Sequence, residues 1–207
     1  MERPVERKVP GWHEFLVRFN EVVRADSPLL PTWFDLHARL RPALIDYFAN
    51  VLWPGMAIEE TFQRLARALE VGHGLLDETP RIVKSDFKRI RAKIKDALDG
   101  EEEQEFILSR LSKADLPSLK DRLRALRYRV GPRMAAKLTD EFIRKAGTAR
   151  DDMTHRNDYS SVFDPRELAV AMHLLRLFLT AVLLNLLDYS AEENDQRTLR
   201  SADAMFS

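Results

Sequence analysis

The chain has no cysteine, only seven glycines in 207 residues, and no net charge, 33 basic side chains being balanced by 33 acidic ones. Without cysteine there can be no disulfide, thiolate nucleophile or thiolate metal site, and a reducing cytoplasm is the expected compartment. Alternating or β-branched runs are scarce, while Leu, Ala, Arg, Glu and Lys dominate, which predicts an all-α protein. A strand-mounted serine nucleophile is therefore not expected. No glycine-rich phosphate loop occurs, which argues against a nucleoside triphosphatase. There is no His-x-x-x-His pair, and Asp151-Asp152 alone supplies too few ligands, so neither a metal nor a cofactor is expected. The first ten residues are charged and proline-bounded, unlike a secretory signal.

What is present is helical periodicity. Apolar residues at steps of three and four predict eight helices. The first covers 11–24. The second, opened by Pro31, carries Trp33, Leu36, Leu40, Leu44, Tyr47, Phe48 and Val51. A third, 56–76, turns Phe62, Leu65, Leu69 and Leu76 inward, and a fourth, 82–98, directs Phe87, Ile90, Ile94 and Leu98 to the core. Asp99-Gly100 ends it, and Glu101-Glu102-Glu103 begins a short fifth helix at the favourable dipole end. Asp115 is expected to cap the sixth, with Pro117 just inside, and Gly131-Pro132 separates it from a seventh running from Arg133 towards Thr154. Asp164-Pro165 caps the eighth, which reaches about Leu187. These elements read as one helical domain over 11–189, with flexible termini at 1–10 and 190–207.

The run from Leu168 to Leu187 is almost long enough to span a bilayer, but His173, Arg176 and Asn185 interrupt it. A buried central helix or a dimer seam is the better reading. Charge is also unevenly placed. Between Lys120 and Arg156 eleven basic residues face five acidic ones, so a local basic face can exist on a neutral chain, although solvated helix faces would leave the same pattern.

The segment Ala149-Arg150-Asp151-Asp152-Met153-Thr154-His155-Arg156 concentrates a fixed cation, two carboxylates and an imidazole just before the last long helix. Arginine offers a planar fork to phosphate oxygens, and histidine exchanges protons near neutrality. The spacing itself is uninformative, because Arg7–His13, Arg67–His73 and Arg166–His173 are similar. Context separates the Arg150 pair. Asp151 lies four residues before His155, within reach for fixing its tautomer, and Thr154 lies four after Arg150, where it could hold the guanidinium. On an ideal helix Arg150 and His155 are offset by about 140°, so they converge only if the helix ends near Thr154. His73 is expected to pack and His173 to be a satisfied buried histidine. A surface role at the helix end remains the competing reading of His155.

These residues resemble the HEPN superfamily, in which an Arg, four to six residues and a His precede the last long helix, and most closely its ApeA-like domain. The likeness extends through the helix Leu65-Ala66-Arg67-Ala68-Leu69-Glu70-Val71-Gly72-His73, the charged helix Phe87 to Leu98, the helix Leu119 to Val130 and the apolar run Leu168 to Leu187. It implies an all-α bundle that dimerises with two motifs meeting across the interface. It also implies a metal-independent RNA endonuclease of an anti-phage or toxin–antitoxin defence system, or an inactive relative that binds RNA or a nucleotide. By position, Arg150 and His155 would be catalytic, with Asp151 orienting the imidazole and Thr154 and Arg156 contacting substrate. RNA, a second copy, and an antitoxin or separate N-terminal sensor domain are the partners the resemblance implies, with no membrane. Asp151 stands where Asn is commoner, and Arg156 where a small residue often follows the His.

Overall fold

The computed structural model describes residues 17, 19–24, 27–52, 55–77, 80–155 and 160–206, and every regular element among them is helical. Helix α1 is one turn, Phe19–Val22, and the expected start of this segment at 11–16 and the terminus 1–10 lie outside the described residues. Helix α2, Leu29–Leu52, begins two residues before Pro31 and buries Leu36, Leu40 and Leu44. Helix α3, Ile58–Leu76, follows the expected stripe, with Phe62, Leu65 and Leu69 fully buried. Helices α4, Lys84–Ala97, and α5, Gln104–Arg110, are followed by a 3-10 turn at Leu111–Lys113.

Helix α4 departs from the expectation that Phe87, Ile90, Ile94 and Leu98 face the core. It buries no residue, and its main neighbour is α5. Its apolar stripe is only half-covered, and six basic residues in fourteen keep the rest of the helix in water.

Helix α6, Leu119–Arg127, is capped by Ser118 rather than Asp115. Ser118 Oγ accepts from the Asp121 amide, and the Asp121 carboxylate accepts from Ser118 N, so Pro117 falls before the helix. The expected seventh helix is two elements, α7, Pro132–Lys137, and α8, Asp140–His155. The chain bends at Leu138, fully buried, and Thr139 restarts it by accepting the Phe142 amide on its hydroxyl at 3.1 Å.

Helix α9, Pro165–Leu186, opens on a capping box between Asp164 and Glu167 and is the centre of the molecule. Every residue from Leu177 to Leu184 is buried, so this stretch is enclosed on all sides rather than amphipathic. It packs against α3 and α10, while Leu183 joins the α2 cluster of Leu36, Leu40 and Leu44. Among the described residues α9 alone is long and apolar enough to cross a bilayer, and 67% of that window is buried within the chain. The apolarity of Leu168 to Leu187 is accounted for by a core position.

The segment after Ser190 corrects the expectation of a loose terminus. Asp188, at φ 63°, reverses the chain, and α10, Ala191–Phe206, returns along α9. Fully buried Asn194 donates to the Ala181 carbonyl at 2.6 Å, and Thr198 donates to Asn194. Asp195, 3% exposed, accepts the amides of Arg133 and Met134 at 2.8 and 3.0 Å, capping α7 from another element. A Cβ on Gly131 would collide with the Asp195 carboxyl group and the Ala191 carbonyl, so glycine is needed for this approach. Asp195→Ala strips a buried charge-assisted cap and is expected to lower stability by about 2 kcal/mol. Urea unfolding measures this, and a loss below about 0.5 kcal/mol would show that the cap is dispensable.

Candidate functional site

Helix α8 positions the motif through its packing face. Ile143, Ala146, Gly147, Ala149 and Met153 are buried, and the small residues among them let α8 lie close to α3 and α6. Arg150 falls on the same stripe, four residues after Ala146 and three before Met153, so its stem is drawn inward and its head emerges at the edge of α3. There Nη2 donates to Glu70 Oε2 at 2.9 Å, and Nη1 donates to Asp151 Oδ1 at 3.3 Å. The guanidinium is 30% exposed and Glu70 21%, so this ion pair is half-buried, whereas Asp151 at 59% is open to water. Two of the five N–H donors of Arg150 are thus engaged, and the others are left for a further acceptor.

Glu70 is held in turn. Arg122, from α6, donates to the Glu70 carbonyl at 2.9 Å and to the Pro117 carbonyl at 3.0 Å, tying α3 to the start of α6. Its Nη1 also lies 3.4 Å from His73 Nδ1. His73 is buried as expected, and burial, reinforced by the Arg122 charge, lowers its pKa. His173 is buried on α9, with Nδ1 accepting from Arg176 at 2.9 Å, and burial followed by Arg176 lowers its pKa too. Both histidines are built into the packing. Arg67, the partner of His73 in spacing, instead pairs with Asp46 at 3.3 Å.

His155 is the last residue of α8 and is exposed, with no hydrogen-bond partner among the described residues. Two expected local contacts are replaced by others. Asp151 shares a face with His155, yet its carboxylate takes the Arg150 guanidinium, the nearer and permanently charged donor. Thr154 does bond to Arg150, but its hydroxyl donates to the Arg150 carbonyl at 2.7 Å, a bond back along the helix rather than to the guanidinium. The helix ends near Thr154 as expected, one residue later at His155, and the two backbone positions still stand about 140° apart around the axis. Arg156 lies outside the described residues.

Beside Asp151 a polar hollow of about 310 Å³ opens between α6, α8 and the segment leading into α4, lined by Arg81, Lys120, Asp121, Arg124, Gly147 and Asp151. Lys120 lies across Gly147, where a Cβ would meet its stem, and its ammonium reaches Thr148 Oγ1 at 3.4 Å. Burial pushes the Asp121 carboxyl pKa up, but hydrogen bonds from Ser118 and the nearby Arg81 and Arg124 outweigh it and hold the value below the ordinary range. Glu70, Arg81, Lys120 and Arg124 were not legible as site residues. Glu70 borders a helix stripe that reads as core, and the cations come from two parts of the chain, Arg81 ahead of α4 and Lys120 with Arg124 on α6.

An all-α domain in which a long helix ends on an Arg-x4-His motif, just before a buried apolar helix, has the organisation of a HEPN domain. The family model for the Apea-like HEPN domain matches residues 64–193, well over half of the chain, and the chain belongs to that family. The match includes Glu70, the polar hollow, Arg150 and His155. No curated protein and no solved structure matches the chain.

Proposed function

We propose that this chain is a metal-independent RNA endonuclease that cuts through the 2′-hydroxyl, acting as a cytoplasmic homodimer in an anti-phage or toxin–antitoxin type of defence. The observation that carries the reading is a guanidinium fixed by two carboxylates, with donors to spare, on the same terminal turns as a solvent-open imidazole. Membership of the HEPN family supports it.

In this mechanism His155 takes the proton from a ribose 2′-hydroxyl, and the 2′-oxygen attacks the adjacent phosphorus. The bond from phosphorus to the 5′-oxygen breaks, and an acid returns a proton to that oxygen. One imidazole cannot be base and acid at once, so the motif of a second copy is the natural source of the acid. Arg150 stabilises the charge that builds on the pentacoordinate phosphorus. Asp151, together with Glu70, orients the guanidinium rather than the imidazole. Thr154 and Arg156 are the proposed contacts to the flanking substrate.

The test is chemical. The chain should cut RNA in the presence of EDTA and leave a 2′,3′-cyclic phosphate. A single 2′-deoxy nucleotide at the cleaved position should block that cut completely. Equal cutting of the deoxy substrate, or of DNA, would rule the mechanism out.

One observation favours a second reading, a binding module without turnover. Arg150 already carries two carboxylates, and the helix ends at His155 without bringing the two backbone positions together. Such a module would bind RNA and leave it intact under every condition of that test.

A further inference from the structure

Helix α4 leaves the domain at the rim of the polar hollow, since Arg81 lines the hollow and Lys84 opens α4 three residues later. Its fourteen residues include six cations and two carboxylates. Lys84, Lys88, Arg91 and Lys95 follow one another at steps of four, three and four, which places them within an arc of about 60° along about 16 Å of helix. All four are exposed, and among the described residues none has an ion-pair partner; the ion pair on this helix joins Arg89 to Asp86. Like charges at these spacings repel and weaken a helix, so the stripe does not serve its stability. Nor does it serve the core, because α4 buries no residue.

The apolar stripe lies about a quarter turn away. Of its members Phe87, Ile94 and Leu98 are half-buried and Ile90 is exposed, and the main neighbour of α4 is α5, with Gln104 donating to the Lys95 carbonyl at 3.0 Å. What the arm presents outermost is therefore a row of free cations, matched to a row of phosphates rather than to acyl chains.

We propose that α4 is an RNA-binding arm whose Lys84, Lys88, Arg91 and Lys95 grip the phosphate backbone of the RNA beyond the cleavage site. Arg81, Lys120 and Arg124 in the hollow continue the cationic track from the arm towards Arg150. The identity of the anion rests on the ribonuclease reading above, but binding by the arm is measured without turnover. Contacts of this kind position the strand and carry no sequence preference.

The experiment titrates the full chain with a fluorescent single-stranded RNA carrying 2′-O-methyl groups throughout, at several salt concentrations. Lys88→Glu/Arg91→Glu/Lys95→Glu should weaken binding by roughly ten- to a hundredfold and reduce the slope of log K against log salt by about 2. The milder Lys88→Gln/Arg91→Gln/Lys95→Gln should move both in the same direction by less, and guards against a folding defect in the charge-reversed variant. A charge-matched control on α2 and α7, Arg41→Glu/Arg133→Glu/Lys137→Glu, should change affinity less than about threefold. Unchanged RNA affinity and slope in the arm variants would overturn the proposal, as would an equal loss in the control. It would also fall if vesicles of anionic lipid, and not RNA, were bound in an arm-dependent way. Arm-dependent binding by a chain that never cuts RNA would sustain the arm and sink the nuclease reading. Cutting with arm-independent affinity would do the reverse.

Discussion

Replacing His155 with Ala is expected to lower RNA cleavage by about 10²- to 10⁴-fold, the range supplied by a positioned acid–base group. The side chain ends α8, is exposed, and has no hydrogen-bond partner among the described residues. Surface substitutions of this kind change stability by no more than about 0.5 kcal/mol, so a fall in turnover cannot be ascribed to unfolding. RNA affinity should hold, because the phosphate contacts that dominate it lie on other residues. Thermal melting, affinity for a non-cleavable RNA and initial cleavage rate together decide the matter. Undiminished cleavage by the variant would remove His155 from the chemistry.

Arg150→Ala is expected to have two effects that separate. Turnover should fall by about 10²- to 10³-fold, as it does when one preorganised donor to a developing oxyanion is removed. Stability should fall by about 1 kcal/mol, because Glu70, half-buried on α3, loses the partner that compensates its charge. Arg150→Lys should not restore turnover, since an ammonium cannot bridge Glu70, Asp151 and a phosphate from one planar fork. Glu70→Gln tests the positioning role. It keeps the shape, removes the charge that anchors the guanidinium, and should lower kcat by roughly tenfold while leaving KM nearly unchanged. A Glu70→Gln enzyme with normal kcat would mean that Asp151 alone suffices to aim Arg150.

The comparison of Asp151 with Glu70 shows how far the site was legible. Asp151 stands next to Arg150 in the chain and was recognisable as a site residue, but its partner was not. The expected bond to His155 rested on the i,i+4 geometry, and the geometry is indeed available. The carboxylate turns instead to the guanidinium, a permanently charged donor on the adjacent residue. Glu70 lies 80 residues away and meets Arg150 only because Ala146, Gly147 and Ala149 allow α8 to approach its neighbours closely. No local pattern encodes that meeting.

The helices themselves divide in the same way. The stripe of α3 and the apolar run of α9 are legible in the sequence, because a one-faced core helix marks its own segment at steps of three and four and a fully enclosed one leaves a continuous apolar run. The same rule failed for α4, where a regular apolar stripe faces a short neighbouring helix instead of the core. It failed again after Ser190, where Leu199 is the one apolar residue among the four buried ones described, and Asn194, Asp195 and Thr198 are polar groups that look like tail and act as caps and tethers.

By itself the sequence determined the all-α class, the family resemblance, the central apolar helix and the Arg150–His155 motif ahead of it, all of them carried by composition, periodicity and local context along the chain. Tertiary structure alone decided which carboxylates hold Arg150, that α10 packs along α9, that Arg81 shares one hollow with Lys120 and Arg124 of α6, and that α4 stands out from the core as a charged arm. The reason is that periodicity and capping act within a few residues, whereas ion pairing and enclosure depend on how closely distant helices come to lie.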